Sequence, residues 1–245
     1  MLAIQVLGSN LGEIFGPLEY RMVASPGWLL FSKGSVELFG ASEMALRLPA
    51  LLLGSAGFIA LVLGLRRFLL PRTLFLAAVG LATSYYLIRH SVESKPFAFD
   101  FFISVLLILA WLHQSRWRLP LALLAPWMSW PSAFVLGGIL LGDLLKNPRL
   151  RGNRLGWAVL AAGSFFALWW LVGRDQHWGE EDWVGHANQW QDDFPPLAQP
   201  WRFPWWLIKQ HCGYMWAFPF GGKGFGSTLT LLLVSFGLIK ANRPS

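Results

Sequence analysis

Charge is scarce in this chain. Asp, Glu, Lys and Arg together make up 13% of its 245 residues, against 55% hydrophobic residues, with 15 Trp, 19 Phe and a mean hydropathy of +0.46. So few charges cannot cover a water-soluble core of this size, which excludes a soluble globular domain in favour of an integral membrane protein. Cysteine is nearly absent as well. The single Cys212 rules out an internal disulfide and reads as a small hydrophobe. Residues 1–20 lack a basic start followed by a sustained apolar core, which argues against a secretory signal peptide. Tandem repeats and low-complexity linkers are missing too, so one membrane domain accounts for the chain. The cluster Gly221-Gly222-Lys223-Gly224 has neither the spacing nor the Lys-Ser/Thr pair of a nucleotide loop, and reads as a flexible turn.

Acidic residues are outnumbered 13 to 20 by basic ones, giving a formal charge of +7 and a pI near 10. The excess does not form a stripe of the kind that binds nucleic acid. It gathers in short groups at the ends of apolar segments, at Arg66-Arg67, Arg116/Arg118 and Lys146/Arg149/Arg151/Arg154, as cytoplasmic loops do. No nucleic-acid partner is expected.

Residues 1–46 mix apolar positions with Glu13, Glu19, Arg21, Lys33, Glu37, Glu43 and prolines. They read as short helices along an interface. Apolar runs then predict spans over 48–65, 74–88, 96–112, 155–172 and 225–239, the second short of the roughly 20 residues an upright helix needs. Segment 119–145 is flanked by basic residues on both sides and holds Pro126 and Pro131. If both flanks are cytoplasmic it must enter and return, which predicts two short helices with a break around Ser129 to Pro131, buried against protein. A single kinked span is the competing account. Residues 173–223 form a Trp-rich polar loop suited to the headgroup layer, and 224–245 hold the final span and a cytoplasmic tail. Counting spans from the basic clusters puts 1–46, 89–96 and 173–223 together on the exoplasmic side. The fold class expected is all-α and polytopic.

The densest polar group beside apolar helix is Arg89-His90-Ser91-Val92-Glu93-Ser94-Lys95-Pro96-Phe97-Ala98-Phe99-Asp100. Charge next to hydrocarbon is costly and is normally paired or functional. With Pro96 in the first turn of a helix, Asp100 lies one turn inside it while Glu93 and Lys95 sit at its mouth. Three readings stay open: a salt bridge that fixes the turn, substrate handling involving Arg89, Glu93, Lys95 and Asp100, or exposure without a task. Arg47, just before Leu48-Pro49, either snorkels to the headgroups or binds a lipid phosphate through its paired donors. Lys33 admits the same two roles. Single carboxylates such as Glu13, Glu19 and Glu43 read as solvated. His177 and His186 do not have the spacing of a metal-ligand set, so neither a metal nor another cofactor is expected.

Four stretches carry a resemblance. They are Gly16-Pro17-Leu18-Glu19-Tyr20, Ser25-Pro26-Gly27-Trp28-Leu29-Leu30, Leu38-Phe39-Gly40-Ala41-Ser42-Glu43-Met44-Ala45-Leu46-Arg47-Leu48-Pro49, and Glu93-Ser94-Lys95-Pro96-Phe97-Ala98-Phe99-Asp100. In these, the chain resembles membrane glycosyltransferases related to dolichyl-phosphate-mannose protein mannosyltransferases and bacterial lipid A aminoarabinose transferases. The likeness spans roughly 8–145, and the "FG-x-SE-x-x-LRLP" and "E-x-KP-[FY]-x-x-D" runs keep the family's order and separation.

The resemblance implies a partial GT-C-like helical bundle in a bacterial inner membrane, crossing it several times. It also implies sugar transfer from a polyprenyl-phosphate donor to a lipid, glycan or protein acceptor. Arg47 and Lys95, with Lys33 and Arg89, then become groups that neutralise the lipid phosphate. The family's catalytic acidic residue follows a first membrane helix, upstream of the stretch that matches Leu2 to Glu19. The expectation is therefore an amino-terminally shortened piece whose catalytic residue is unknown, with bilayer lipid and a further membrane protein as partners. The alternative is a non-catalytic membrane binding or assembly module.

Overall fold

The computed structural model describes residues 24–146, 151–172 and 199–210, together with 6–8, 10, 13, 196, 232 and 236. Most of the Trp-rich loop and of the 225–239 span, with Glu19, His177, His186 and Cys212, lie outside the described residues. Among the described residues the fold is an all-α bundle. Its helices are α1 (Pro26–Phe39), α2 (Glu43–Leu65), α3 (Pro71–Ala82), α4 (Tyr85–Val92), α5 (Phe97–Leu112), α6 (Arg118–Met128), α7 (Ser132–Lys146), α8 (Arg151–Leu171) and α9 (Phe203–Gln210). The chain divides into two compact units. One comprises 1–75 and 90–177, the other 76–89 and 178–245.

In the larger unit α2 is the framework. Ser42 caps it, accepting the Ala45 N–H at 3.2 Å, and at 23 residues it is long and apolar enough to cross a membrane. Pro49 lies inside it and cannot donate to the Ala45 carbonyl. The Ser35 hydroxyl of α1 donates to that carbonyl instead, at 2.6 Å, so the proline's missing bond becomes the link between α1 and α2. At the other end the orphan carbonyl of Gly64 accepts from the His113 ring Nε2–H at 2.9 Å, which closes α2 against the end of α5.

Helices α2 and α5 pack closely because three glycines remove the side chains between them. On the α5 side, a Cβ on Gly54 would meet Ala98 Cβ at 3.4 Å, one on Gly57 would meet Phe101 Cδ1 at 3.0 Å and Phe102 Cα at 3.1 Å, and one on Gly64 would strike Leu109. Small residues permit this close approach of two helices. Along both helices the partners' numbers rise together. The two run parallel, and their first turns share one end of the unit.

Helices α6 and α7 form the returning pair. The Arg118 guanidinium, at the start of α6, lies 5.6 Å from the Trp111 ring centre, and Asp143, near the end of α7, accepts the Trp111 indole N–H at 2.6 Å. Both outer ends therefore meet the end of α5. The connection between them instead places Ser129 beside Asp100, in the first turn of α5. The two helices thus run antiparallel. Helix α8 lies along α6, with the Ser164 hydroxyl accepting from Trp127 Nε1 at 3.1 Å and donating to the Leu123 carbonyl at 2.6 Å.

The smaller unit holds 76–88 of the 74–88 run, which the sequence suggests is one span. It is two helices, interrupted at Thr83 and Ser84. The Thr83 hydroxyl donates back to the Val79 carbonyl at 2.8 Å, and the Ser84 oxygen accepts from Leu87 N–H at 3.5 Å. These hydroxyls offer the backbone local partners, one ending α3 and the other capping α4.

Candidate functional site

Helix α1 lies across the end of the larger unit where α2 and α5 begin. Its first turn rests on the hairpin tip, with the Ser25 hydroxyl donating to the Met128 carbonyl at 2.5 Å. No bulk fits there. A Cβ on Gly27 would stand 2.9 Å from Met128 Cα. Ser35 ties the same helix to α2, and in between Trp28 and Phe31 pack on the Phe99 ring at 6.2 and 5.4 Å. Trp28 and Phe99 are both fully buried. This clamp sets the floor of the polar end.

Over it stands the turn between α4 and α5. One Glu93 carboxylate oxygen is shared, 3.3 Å from His90 Nδ1 and 3.2 Å from Lys95 Nζ. Lys95 also passes 5.9 Å from the Phe97 ring centre, and the His90 ring packs against that ring at 4.6 Å. Its side chain is 49% exposed, so the ammonium keeps donors directed outward while Glu93, 24% exposed, holds it from behind. Asp100 is half-buried one turn farther in, its N–H bonded to the Pro96 carbonyl at 2.8 Å. Beside it the Ser129 side chain is fully buried, its hydroxyl next to the Asp100 carboxyl group.

Lys33 and Arg47 each have a partner on their own helix. Lys33 is buried along its stem and reaches Glu37 at 3.1 Å, one turn away on α1. Arg47 pairs with Glu43 at 2.5 Å at the start of α2. Arg89 belongs to the smaller unit, where its guanidinium donates to the Tyr85 hydroxyl at 3.4 Å and lies over that ring. So Glu93 and Lys95 pair in the turn with Asp100 one turn into α5, whereas Lys33 and Arg47 each pair one turn away along their own helices. Among the described residues no three His, Cys, Asp or Glu side chains gather as metal ligands.

The opposite end of the unit differs in charge. Arg66 and Arg67 follow α2, Arg72 opens α3, Arg116 and Arg118 precede or start α6, and among the described residues there Asp143 bonds the Trp111 indole. The Arg118 guanidinium stacks 5.4 Å from Trp157, itself edge-on to Trp111.

Sequence reasoning missed Ser129 as the neighbour of Asp100 and Ser35 as the partner of the carbonyl freed by Pro49. The second had a signal, since any proline inside a helix frees a carbonyl one turn earlier. Comparison with family models, with curated proteins and with solved structures finds no match in any of the three.

Proposed function

We propose that this chain is a multi-pass membrane protein of polyprenyl-linked sugar transfer, with the α4–α5 turn receiving the lipid phosphate. The observation that carries this reading is the arrangement around Lys95. A half-exposed ammonium at the mouth of an apolar helix is held by one half-buried carboxylate and keeps donors free for a second anion. Such a group neutralises the charge that grows on a departing lipid phosphate. Asp100 and Ser129 lie one turn deeper, where they can hydrogen-bond the hydroxyls of a carried sugar. The parallel run of α2 and α5 and the charge difference between the two ends favour several crossings, with the polar end exoplasmic. The paired settings of Lys33, Arg47 and Arg89 favour a second reading, a non-catalytic lipid-binding or assembly module, since they leave Lys95 as the main phosphate group.

The test is binding of a polyprenyl-phosphate analogue to the chain in detergent. Lys95→Ala is expected to weaken it about tenfold or more, the loss of one charge-assisted bond of roughly 1.5–3 kcal/mol. Lys95→Arg should keep most of it. Equal affinity of wild type and Lys95→Ala removes the phosphate from this turn. Sugar turnover in a membrane fraction then separates transferase from module.

A further inference from the structure

Two turns meet at the arginine-rich end of the larger unit. One follows α2 and carries Arg66, Arg67 and Phe68, and the other follows α5 and carries Arg116 and Trp117. His113 joins them, its Nε2–H bonded to the Gly64 carbonyl at 2.9 Å and its ring edge-on to Phe68 at 5.2 Å. The second turn has a fixed shape. Gln114 takes the left-handed conformation at φ 52°, and the Ser115 and Gln114 N–H groups donate back to the Ala110 and Trp111 carbonyls at 2.9 and 3.2 Å, the paired bonds that end a helix sharply. Arg118 is committed to holding it. Its Nε donates to the Ser115 carbonyl at 3.1 Å and its Nη1 to Gln114 Oε1 at 2.7 Å, with the guanidinium between the Trp111 and Trp157 rings. Arg66, Arg67 and Arg116 have no such task. All three are exposed, and none pairs with a carboxylate among the described residues. Phe68, Leu70 and Trp117, exposed as well, alternate with them along the two turns.

We propose that these two turns form a docking patch for anionic phospholipid, whose phosphates pair with Arg66, Arg67 and Arg116 and whose acyl chains cover Phe68, Leu70 and Trp117. Guanidinium meets phosphate oxygens through paired N–H donors, and an anionic leaflet attracts basic residues placed just beyond a membrane helix. Arg66 and Arg67 directly follow a helix of membrane length, where the headgroup layer is the first polar layer the chain enters. Aromatic and apolar side chains among the charges suit that boundary. A zwitterionic headgroup brings a cation of its own, for which Asp143, the carboxylate described at this end, is already bonded to the Trp111 indole at 2.6 Å. The patch lies at the other end of α2 and α5 from the Lys95 turn. It rests on the membrane reading of α2 and not on the transferase reading.

For the test, the full chain in detergent is mixed with phosphatidylglycerol or phosphatidylcholine of identical acyl chains, and retained lipid is counted by native mass spectrometry. Wild type is expected to hold phosphatidylglycerol about a hundredfold more strongly, about fivefold for each of the three arginines. Arg66→Gln combined with Arg67→Gln should lower that retention about 25-fold at unchanged melting temperature, and Arg116→Gln, on the other turn, about fivefold by itself. Arg47→Gln, which removes the same charge at the far end of α2, and Lys95→Ala should both leave it unchanged. Equal retention of the two lipids by wild type overturns the proposal and leaves the arginines as insertion signals alone. Full retention by the Arg66/Arg67 and Arg116 variants overturns the patch. Displacement of phosphatidylglycerol by an equal concentration of inorganic phosphate overturns the choice of a lipid.

Discussion

Gly57→Leu is expected to lower the stability of the chain by about 2–3 kcal/mol, the range for forcing bulk into a packed contact. A Cβ alone would already stand 3.1 Å from the Phe102 Cα, and backbone cannot turn aside as a flexible side chain can. Leucine adds three carbons in the same direction, so α2 and α5 must separate, breaking the parallel pair that brings their first turns together. Thermal unfolding in detergent should show a fall of roughly 5–10 °C. Gly137→Ala is the matched control. A Cβ there meets nothing within 4 Å, and the gain in helix propensity of about 1 kcal/mol should leave the chain at least as stable. A Gly57→Leu protein that melts with the wild type would mean that the glycine contact does not hold these helices.

Phe99→Ala is expected to cost more, about 3–4 kcal/mol, as for emptying a fully buried aromatic site. Phe99 is 1% exposed and is the ring on which both Trp28 and Phe31 of α1 rest. Its removal opens a cavity under the transverse helix and leaves Trp28 without its edge-on partner. The effect should be local as well as global. Proteolysis should first cut within 24–42, and indole emission should shift to the red as Trp28 meets water. Phe99→Leu, which keeps most of the volume, should recover over half of the loss. Wild-type resistance of Phe99→Ala to both probes would show that α1 is held by its two serine contacts alone.

Much of this architecture is legible in the residues, and the reasons are physical. The break in 119–145 follows from prolines and from basic flanks on both sides, and helix indeed stops at Met128 and resumes at Ser132. The start of α5 after Pro96 follows from proline's tolerance of a first turn. The interruption at Thr83 and Ser84 is not legible, because two hydroxyls in an apolar run carry no signal until their local bonds are seen. Pairings across the unit were equally hidden. His113 with Gly64 and Trp111 with Asp143 are far apart in sequence and join ordinary helix ends. At the candidate site, the Glu93–Lys95 pair follows from adjacency, whereas Ser129 reaches Asp100 only through the hairpin.

The central claim is that the Lys95 turn and the arginine-rich end face opposite sides of a membrane. Single cysteines at Glu43, Arg67, Lys95 and Arg116, placed in a Cys212→Ser background, can be labelled in intact cells by a thiol reagent that does not cross the bilayer. Glu43→Cys and Lys95→Cys should react in intact cells, and Arg67→Cys and Arg116→Cys only after the membrane is opened. Reaction of all four from the same side would contradict the account.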